Sequence, residues 1–286
     1  MFDAKLMDAI ADEIVRRLRM KTPPADAPIP PPRLETEDIT TARIRSIPLV
    51  DEPEDREALE RMMRRTTARI GVGRAGARLK TRTMLTLRAD HAQARDAVFA
   101  DVSQAVLDEL GLFTVETMCG DKNTYITRPD LGRRLSPEAV TTLQARCRHE
   151  PDVQIYAADG LSSTAIEANL PKILPVLMES LERMGVSVGT PFFLKYGRVG
   201  SQEHVAETLG AKVVCVLIGE RPGLATAESM SAYIAYNAYV GMPESRRTVV
   251  SNIHRNGTAA VEAGAYIADV IQLILKQKVS GIDLVK

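Results

Sequence analysis

The chain has 286 residues, 45% of them apolar, and its 37 basic side chains balance 37 acidic ones. Neutrality argues against a protein that draws its affinity for nucleic acid or anionic membranes from surplus positive charge, and 4% aromatics with no Trp leaves little to stack on bases. Cys119, Cys147 and Cys215 stand far apart without metal-ligand spacing, which suits a reducing cytoplasm, and no apolar run reaches the roughly 20 residues of a membrane span.

At the N-terminus Phe2, Leu6, Ile10, Ile14 and Leu18 recur every fourth residue, with Met7, Ala11 and Val15 widening the stripe. Residues 1–20 are therefore predicted to form an amphipathic helix, with Asp12 and Arg16, and Glu13 and Arg17, spaced to pair on its other face. Residues 21–50 read as a linker, because the prolines between Pro23 and Pro32 lack amide donors and favour an extended chain. A helix on such a tether either offers its apolar stripe to another molecule or folds back on its own domain or a sister subunit.

Residues 51–150 read as a mostly helical region suited to subunit contact. A helix is predicted from about Asp51 to Arg69. Gly71-Val72-Gly73-Arg74-Ala75-Gly76 has the letters of a dinucleotide-binding fingerprint, but no apolar strand precedes it. Arg64, Arg65 and Arg69 come before it, and Arg78, Lys80, Arg82 and Arg88 after it, so it reads as a basic turn: either a contact for a partner or an anionic group, or a solvated loop. Further helices are predicted at Asp90–Phe99, at Val102–Leu110 and at Pro137–Cys147, the last with Ser136 as N-cap and proline in its first position.

After Pro151 the texture changes to alternating strands and helices. A strand at Asp152–Ala158 leads to a helix capped by Ser162, Ser163 or Thr164, with Glu167 in capping-box spacing to Thr164. This helix runs to Met184, and Pro171 and Pro175 are expected to kink it or to begin new helices. A strand at Phe192–Tyr196, a helix at Gln202–Leu209 and a strand at Lys212–Ile218 follow. Three strands joined by helical crossovers predict an α/β fold, a Rossmann-like parallel sheet flanked by helices over residues 151–286. Ala227–Tyr239 fits either helix or strand, and Thr248–Ile253 reads as a further strand. A last helix from Ala259 to about Lys278 is expected to turn Val261, Ala265, Ile267, Val270, Ile271, Ile274 and Leu275 onto the sheet.

Two of these strands end abruptly, in Tyr196-Gly197-Arg198-Val199 and in Gly219-Glu220-Arg221-Pro222-Gly223. Ligands in open α/β sheets sit beyond the carboxyl ends of strands, so two such endings side by side predict a pocket rim. A nucleophile elbow, a phosphate-binding loop and a paired-histidine zinc motif are all missing from the sequence. Glu220 and Asp159 are lone carboxylates at strand ends. With no His or second carboxylate beside it, Glu220 reads as pocket wall rather than proton carrier, or else as the cap of its own turn. Cys215 lies within an apolar strand and reads as core.

The ordered segments Arg74-Ala75-Gly76, Thr127-Arg128-Pro129-Asp130-Leu131-Gly132-Arg133-Arg134-Leu135, Asp159-Gly160-Leu161-Ser162, Gly189-Thr190-Pro191-Phe192-Phe193, Tyr196-Gly197-Arg198-Val199, Gly219-Glu220-Arg221-Pro222-Gly223 and Ser251-Asn252-Ile253-His254 carry a resemblance. From roughly Ile70 to Leu284 the chain resembles the small (light) subunit of ethanolamine ammonia-lyase. The resemblance implies an adenosylcobalamin enzyme that converts ethanolamine to acetaldehyde and ammonia by a radical route. In such a hetero-oligomer a large barrel subunit holds the substrate, and the small subunit supplies part of the corrin site. It implies no catalytic residue in this chain, and cofactor contacts at Val199, Glu220 and Val249, the last at a position that varies in the family. It also implies that residues 1–20 can direct the enzyme to shell protein of a bacterial microcompartment. The rival reading is a stand-alone cofactor-binding or regulatory module without lyase activity.

Overall fold

The computed structural model describes residues 12–17 and 46–285. The chain divides into two units, Met1–Asp38 and Ile39–Lys286. In the first, residues 12–17 are helical; Arg17 Nε donates to Glu13 at 2.9 Å as the spacing predicts, while Arg16 pairs with Glu13 rather than Asp12. The stripe positions Phe2, Leu6, Met7, Ile10, Ala11 and Leu18 and the linker prolines lie outside the described residues.

The second unit opens with α1 (Arg56–Met63), shorter than its charge pattern suggests and capped by Asp55, whose carboxylate accepts from the Ala58 amide at 2.8 Å. The glycine-rich stretch is no nucleotide loop: β1 (Arg74–Ala75) and β2 (Arg78–Leu79) form a small antiparallel hairpin. Next, α2 (Thr81–Phe99) begins nine residues before its predicted start, because Thr83 turns inward and accepts from the Gly73 amide at 3.1 Å. Then come α3 (Gln104–Glu109), β3 (Phe113–Glu116), α4 (Lys122–Thr127) and α5 (Pro137–Arg146), where Ser136 caps as expected. The strand β3 was hidden in the sequence. It is short, and half of it faces solvent, so it lacks the apolar run of its neighbours.

The remaining elements are β4 (Val153–Ala158), α6 (Ser163–Arg183), β5 (Phe192–Lys195), α7 (Ser201–Leu209), β6 (Val213–Gly219), β7 (Met230–Tyr236), β8 (Arg247–Ile253) and α8 (Ala260–Gln277). They form, with β3, a six-stranded sheet in the order β3-β5-β4-β6-β7-β8. The first four strands run parallel, as the crossovers predict, and β7 is antiparallel to both its neighbours. Pairing on both edges settles the ambiguous segment before Tyr236 as strand. The order also corrects one expectation: β5 and β6 are not side by side, because β4 lies between them.

Two apolar layers sandwich this sheet. Ile155, Cys215 and Ile234 face Leu170, Ile173 and Leu177 of α6 and Ile267, Ile271 and Ile274 of α8. On the other face Tyr156, Phe192 and Val216 meet Leu143 of α5 and Val205 and Leu209 of α7. Cys215 is fully buried, and burial pushes its thiol up to about 12, as befits a core residue. The α6 helix passes through both prolines without a break. Pro171 and Pro175 are one turn apart on its less buried side, where the carbonyls they leave unbonded can reach water, while the opposite side buries Ile166, Leu170, Ile173 and Leu177. Its N-cap is Ser162, accepting from the Ala165 amide; Glu167 instead accepts from the Ser103 amide at 2.7 Å, so the predicted capping box does not form. In α8, Val261 and Ala265 face solvent, contrary to expectation, and Ala263, Gly264 and Ala268 are buried instead. A Cβ on Gly264 would stand 3.0 Å from the Ile173 carbonyl, so the helix lies too close to α6 for larger residues on that face. No helix among the described residues is long and apolar enough to cross a membrane.

Candidate functional site

From β4 the chain reaches β5 through α6 on one face, then crosses back to β6 through α7 on the other. The direction of winding thus reverses at β4, and in an open sheet the loops part at such a point to leave a crevice. The crevice here is a cavity of about 400 Å³. Gly160 and Leu161 after β4, Arg198 and Val199 after β5, and Gly219, Glu220 and Arg221 at the end of β6 form three of its sides. Ser231 and Tyr233 of β7, Ser251 of β8 and Tyr125 of α4 complete it.

Glycines let these turns touch. Gly160 is left-handed, with φ +57°, and a Cβ there would stand 2.3 Å from the Gly219 carbonyl oxygen. Beyond β5 the left-handed residue is Tyr196, φ +60°, a conformation that costs a side-chain-bearing residue roughly 1–2 kcal/mol. It is held in place: the Thr117 hydroxyl donates to its carbonyl at 3.0 Å, and the following amide, Gly197, donates to Asp159 at 3.2 Å. At the far edge β8 bulges opposite Met230–Ala232, and Asn252 takes φ +62°. The bulge turns the Asn252 amide toward Glu220 Oε1, at 3.1 Å.

Glu220 also accepts from the hydroxyls of Ser229, at 2.9 Å, and Ser231, at 2.5 Å. The carboxylate is thus a knot between β6, β7 and β8, with part of its acceptor capacity still unused. Arg198 lies over the Tyr125 ring at 4.2 Å and donates to the Tyr125 carbonyl at 2.6 Å. Its Nε is buried with no hydrogen-bond partner among the described residues. Val199 and Glu220, both singled out by the sequence, thus share one cavity. Val249 lies outside the lining; it is 42% exposed, paired in register with Tyr233 and two residues before Ser251 on the same face of β8. Sequence reasoning did not nominate Tyr125, Ser231 or Tyr233, which reach the cavity only through tertiary contacts. Arg198 had a signal, since it adjoins Val199.

Beneath the cavity Asp159 is 1% exposed. Burial pushes its carboxyl up to about 6, against the pull of Lys122, whose ammonium lies 3.3 Å away, and of the Gly197 amide. The native state therefore binds this proton more tightly than the unfolded chain, whose reference value is 3.8. Its contribution to stability is complete below about pH 4 and is lost as pH rises through about 6, on the order of 2–3 kcal/mol. Urea midpoints are expected to carry that falling component in the wild type and to lack it in Asp159→Asn; parallel profiles would refute the assignment.

A crevice at the switch point of an α/β sheet, walled by the turns after β4, β5 and β6, is the place where proteins of this α/β class carry a ligand. A sequence model of the ethanolamine ammonia-lyase light chain family matches residues 56–285. The ethanolamine ammonia-lyase small subunit of Clostridium tetani is 60% identical over 247 residues, 86% of this chain and 84% of that protein. The small subunits of Fusobacterium nucleatum, 56% identical over 248 residues (87% of this chain and 84% of that protein), and of Listeria monocytogenes serovar 1/2a, 52% identical over 247 residues (86% and 84%), are similar as well. The chain belongs to the ethanolamine ammonia-lyase light chain family.

Proposed function

We propose that this chain is the cofactor-holding small subunit of an adenosylcobalamin-dependent ethanolamine ammonia-lyase, and that a large subunit carries the substrate and the rest of the site. The observation that carries the reading is the shared cavity, which Val199 and Glu220 line together with Arg198. The chemistry of the donor set fits. A corrin is an apolar-faced ring fringed with amide arms; Leu161, Val199 and Ile218 offer apolar contact, Glu220 can accept an amide N–H, and Arg198 can donate to an amide carbonyl. The size fits a half-site. Pockets enclosing drug-sized ligands run roughly 300–1,000 Å³, and a cobalamin is larger than those, so 400 Å³ receives an edge of it and leaves the remainder to a second polypeptide.

When bound, the cofactor supplies hydrogen abstraction by a carbon-centred radical. This chain's residues bind, orient and shield. The β7–β8 half of the cavity face is uncovered, with Val249 exposed and Tyr233 half-buried, and there the large subunit would close over the cofactor with Val249 at the seam. The purified chain mixed with adenosylcobalamin and ethanolamine is expected to release ammonia only once the large subunit is added. Turnover by this chain alone would overturn the proposal, and tight cobalamin binding without any large subunit would favour the stand-alone module.

The enzyme is placed in the cytoplasm and, in hosts that build protein-shelled compartments, inside them, with residues 1–20 docking on shell protein. Deleting those residues should abolish co-sedimentation with shells while leaving turnover intact; undiminished co-sedimentation would remove that role.

A further inference from the structure

Asp159 has no part in the chemistry assigned so far, yet it holds the cavity's floor together. Its Oδ1 accepts from two amides, Gly160 at 3.1 Å in its own turn and Gly197 at 3.2 Å in the turn after β5. Its Oδ2 receives Lys122 Nζ at 3.3 Å. Lys122 in turn sits 5.5 Å above the rings of both Tyr125 and Tyr196, so one carboxylate connects β4, the loop after β5 and α4.

The loop it grips needs gripping. Tyr196 is left-handed, and Gly197 passes so close to β4 that a Cβ there would stand 2.8 Å from that of Ala158. The residues beyond it are Arg198 and Val199, two members of the cavity wall. We infer that Asp159 is a positioning residue for the cofactor, fixing the loop after β5 at the height where Arg198 and Val199 meet the ligand. This rests on the cobalamin reading above. An asparagine would keep one acceptor but turn an amide N–H₂ toward the Lys122 ammonium, opposing two donors where a charge-assisted bond had been.

The titratable groups beside Asp159 are Lys122 from α4, Cys119 from the loop before α4 and Tyr125 of α4, and Arg198 from the loop after β5 acts on both Cys119 and Tyr125. With its proton bound below about pH 6, Asp159 gives up the ionic half of the grip. Lys122 favours the ionised form, so removing Lys122 must move that loss to higher pH.

The test is cyanocobalamin binding to the assembled two-subunit complex, followed by absorbance from about pH 5 to pH 8, with thermal melting recorded alongside. Wild-type affinity should fall as pH drops through about 6. Asp159→Asn should bind about tenfold more weakly at pH 8 and show no such fall, Asp159→Glu should recover part of the loss, and Lys122→Met should shift the fall upward in pH. The inference is overturned if Asp159→Asn matches the wild type at pH 8 or keeps its pH dependence. If Asp159→Asn does not assemble, Lys122→Met decides: an unshifted profile defeats the inference. An assembled wild type that binds no cyanocobalamin defeats the cobalamin reading itself, whereas a binding wild type matched by Asp159→Asn defeats only the role of Asp159.

Discussion

Replacing Glu220 with alanine is expected to weaken cobalamin binding by the two-subunit complex at least tenfold. The carboxylate accepts from the Ser229 and Ser231 hydroxyls and from the Asn252 amide, and the proposed ligand contact uses what acceptor capacity is left. Hydrogen bonds to a charged group contribute about 1.5–3 kcal/mol each, and losing one such contact corresponds to roughly tenfold to a hundredfold in affinity. Alanine would also leave three donors without their partner and release the β8 bulge. Glu220→Gln separates these effects: it keeps the shape and one acceptor oxygen, enough for Ser231 and the Asn252 amide, while turning an amide N–H₂ toward Ser229 and removing the charge, so its loss should be smaller. Titration of each complex with cyanocobalamin reads the difference, and affinity equal to the wild type in Glu220→Ala would remove the residue from the site.

Gly219→Ala is expected to be strongly destabilising. A Cβ there would stand 2.1 Å from the Ser162 carbonyl oxygen and 2.6 Å from that of Asp159, both backbone atoms that cannot swing aside as a side chain can. Overpacking of this kind costs about 3 kcal/mol, which for a unit of this size lowers Tm by roughly 6–12 °C. Gly185→Ala is the control. Gly185 is left-handed, at φ +74°, but has open space around it, so only the backbone preference of about 1 kcal/mol is lost. Differential scanning calorimetry should rank the two in that order; a Gly219→Ala melt within a degree or two of the wild type would mean that the turns do not interlock.

The sequence made the central strands and the helices between them legible because continuous apolar runs of β4, β5 and β6 are buried on both faces and leave a strong signal. It also placed Val199 and Glu220 at strand ends. What it did not carry was adjacency. Whether β5 lies beside β6 or beyond β4 depends on which face each crossover helix takes, and no local pattern encodes that. Half-buried β3 and the polar inner side of α2, with Thr83, Thr86 and Asp90 buried, run against the usual hydrophobic signature, so their neighbours decide their form. The approach of Tyr125 to Arg198 joins residues 73 positions apart through a stacking contact. The left-handed Tyr196 gave no warning either, since tyrosine is not a residue expected there.

Turns wedged backbone against backbone have a thermodynamic corollary. Loops that already possess a single arrangement forfeit little motional freedom when a guest arrives, so on this side of the complex the ordering penalty is settled during folding. Under the proposed function, the heat and entropy of cofactor capture would then report chiefly on the second polypeptide.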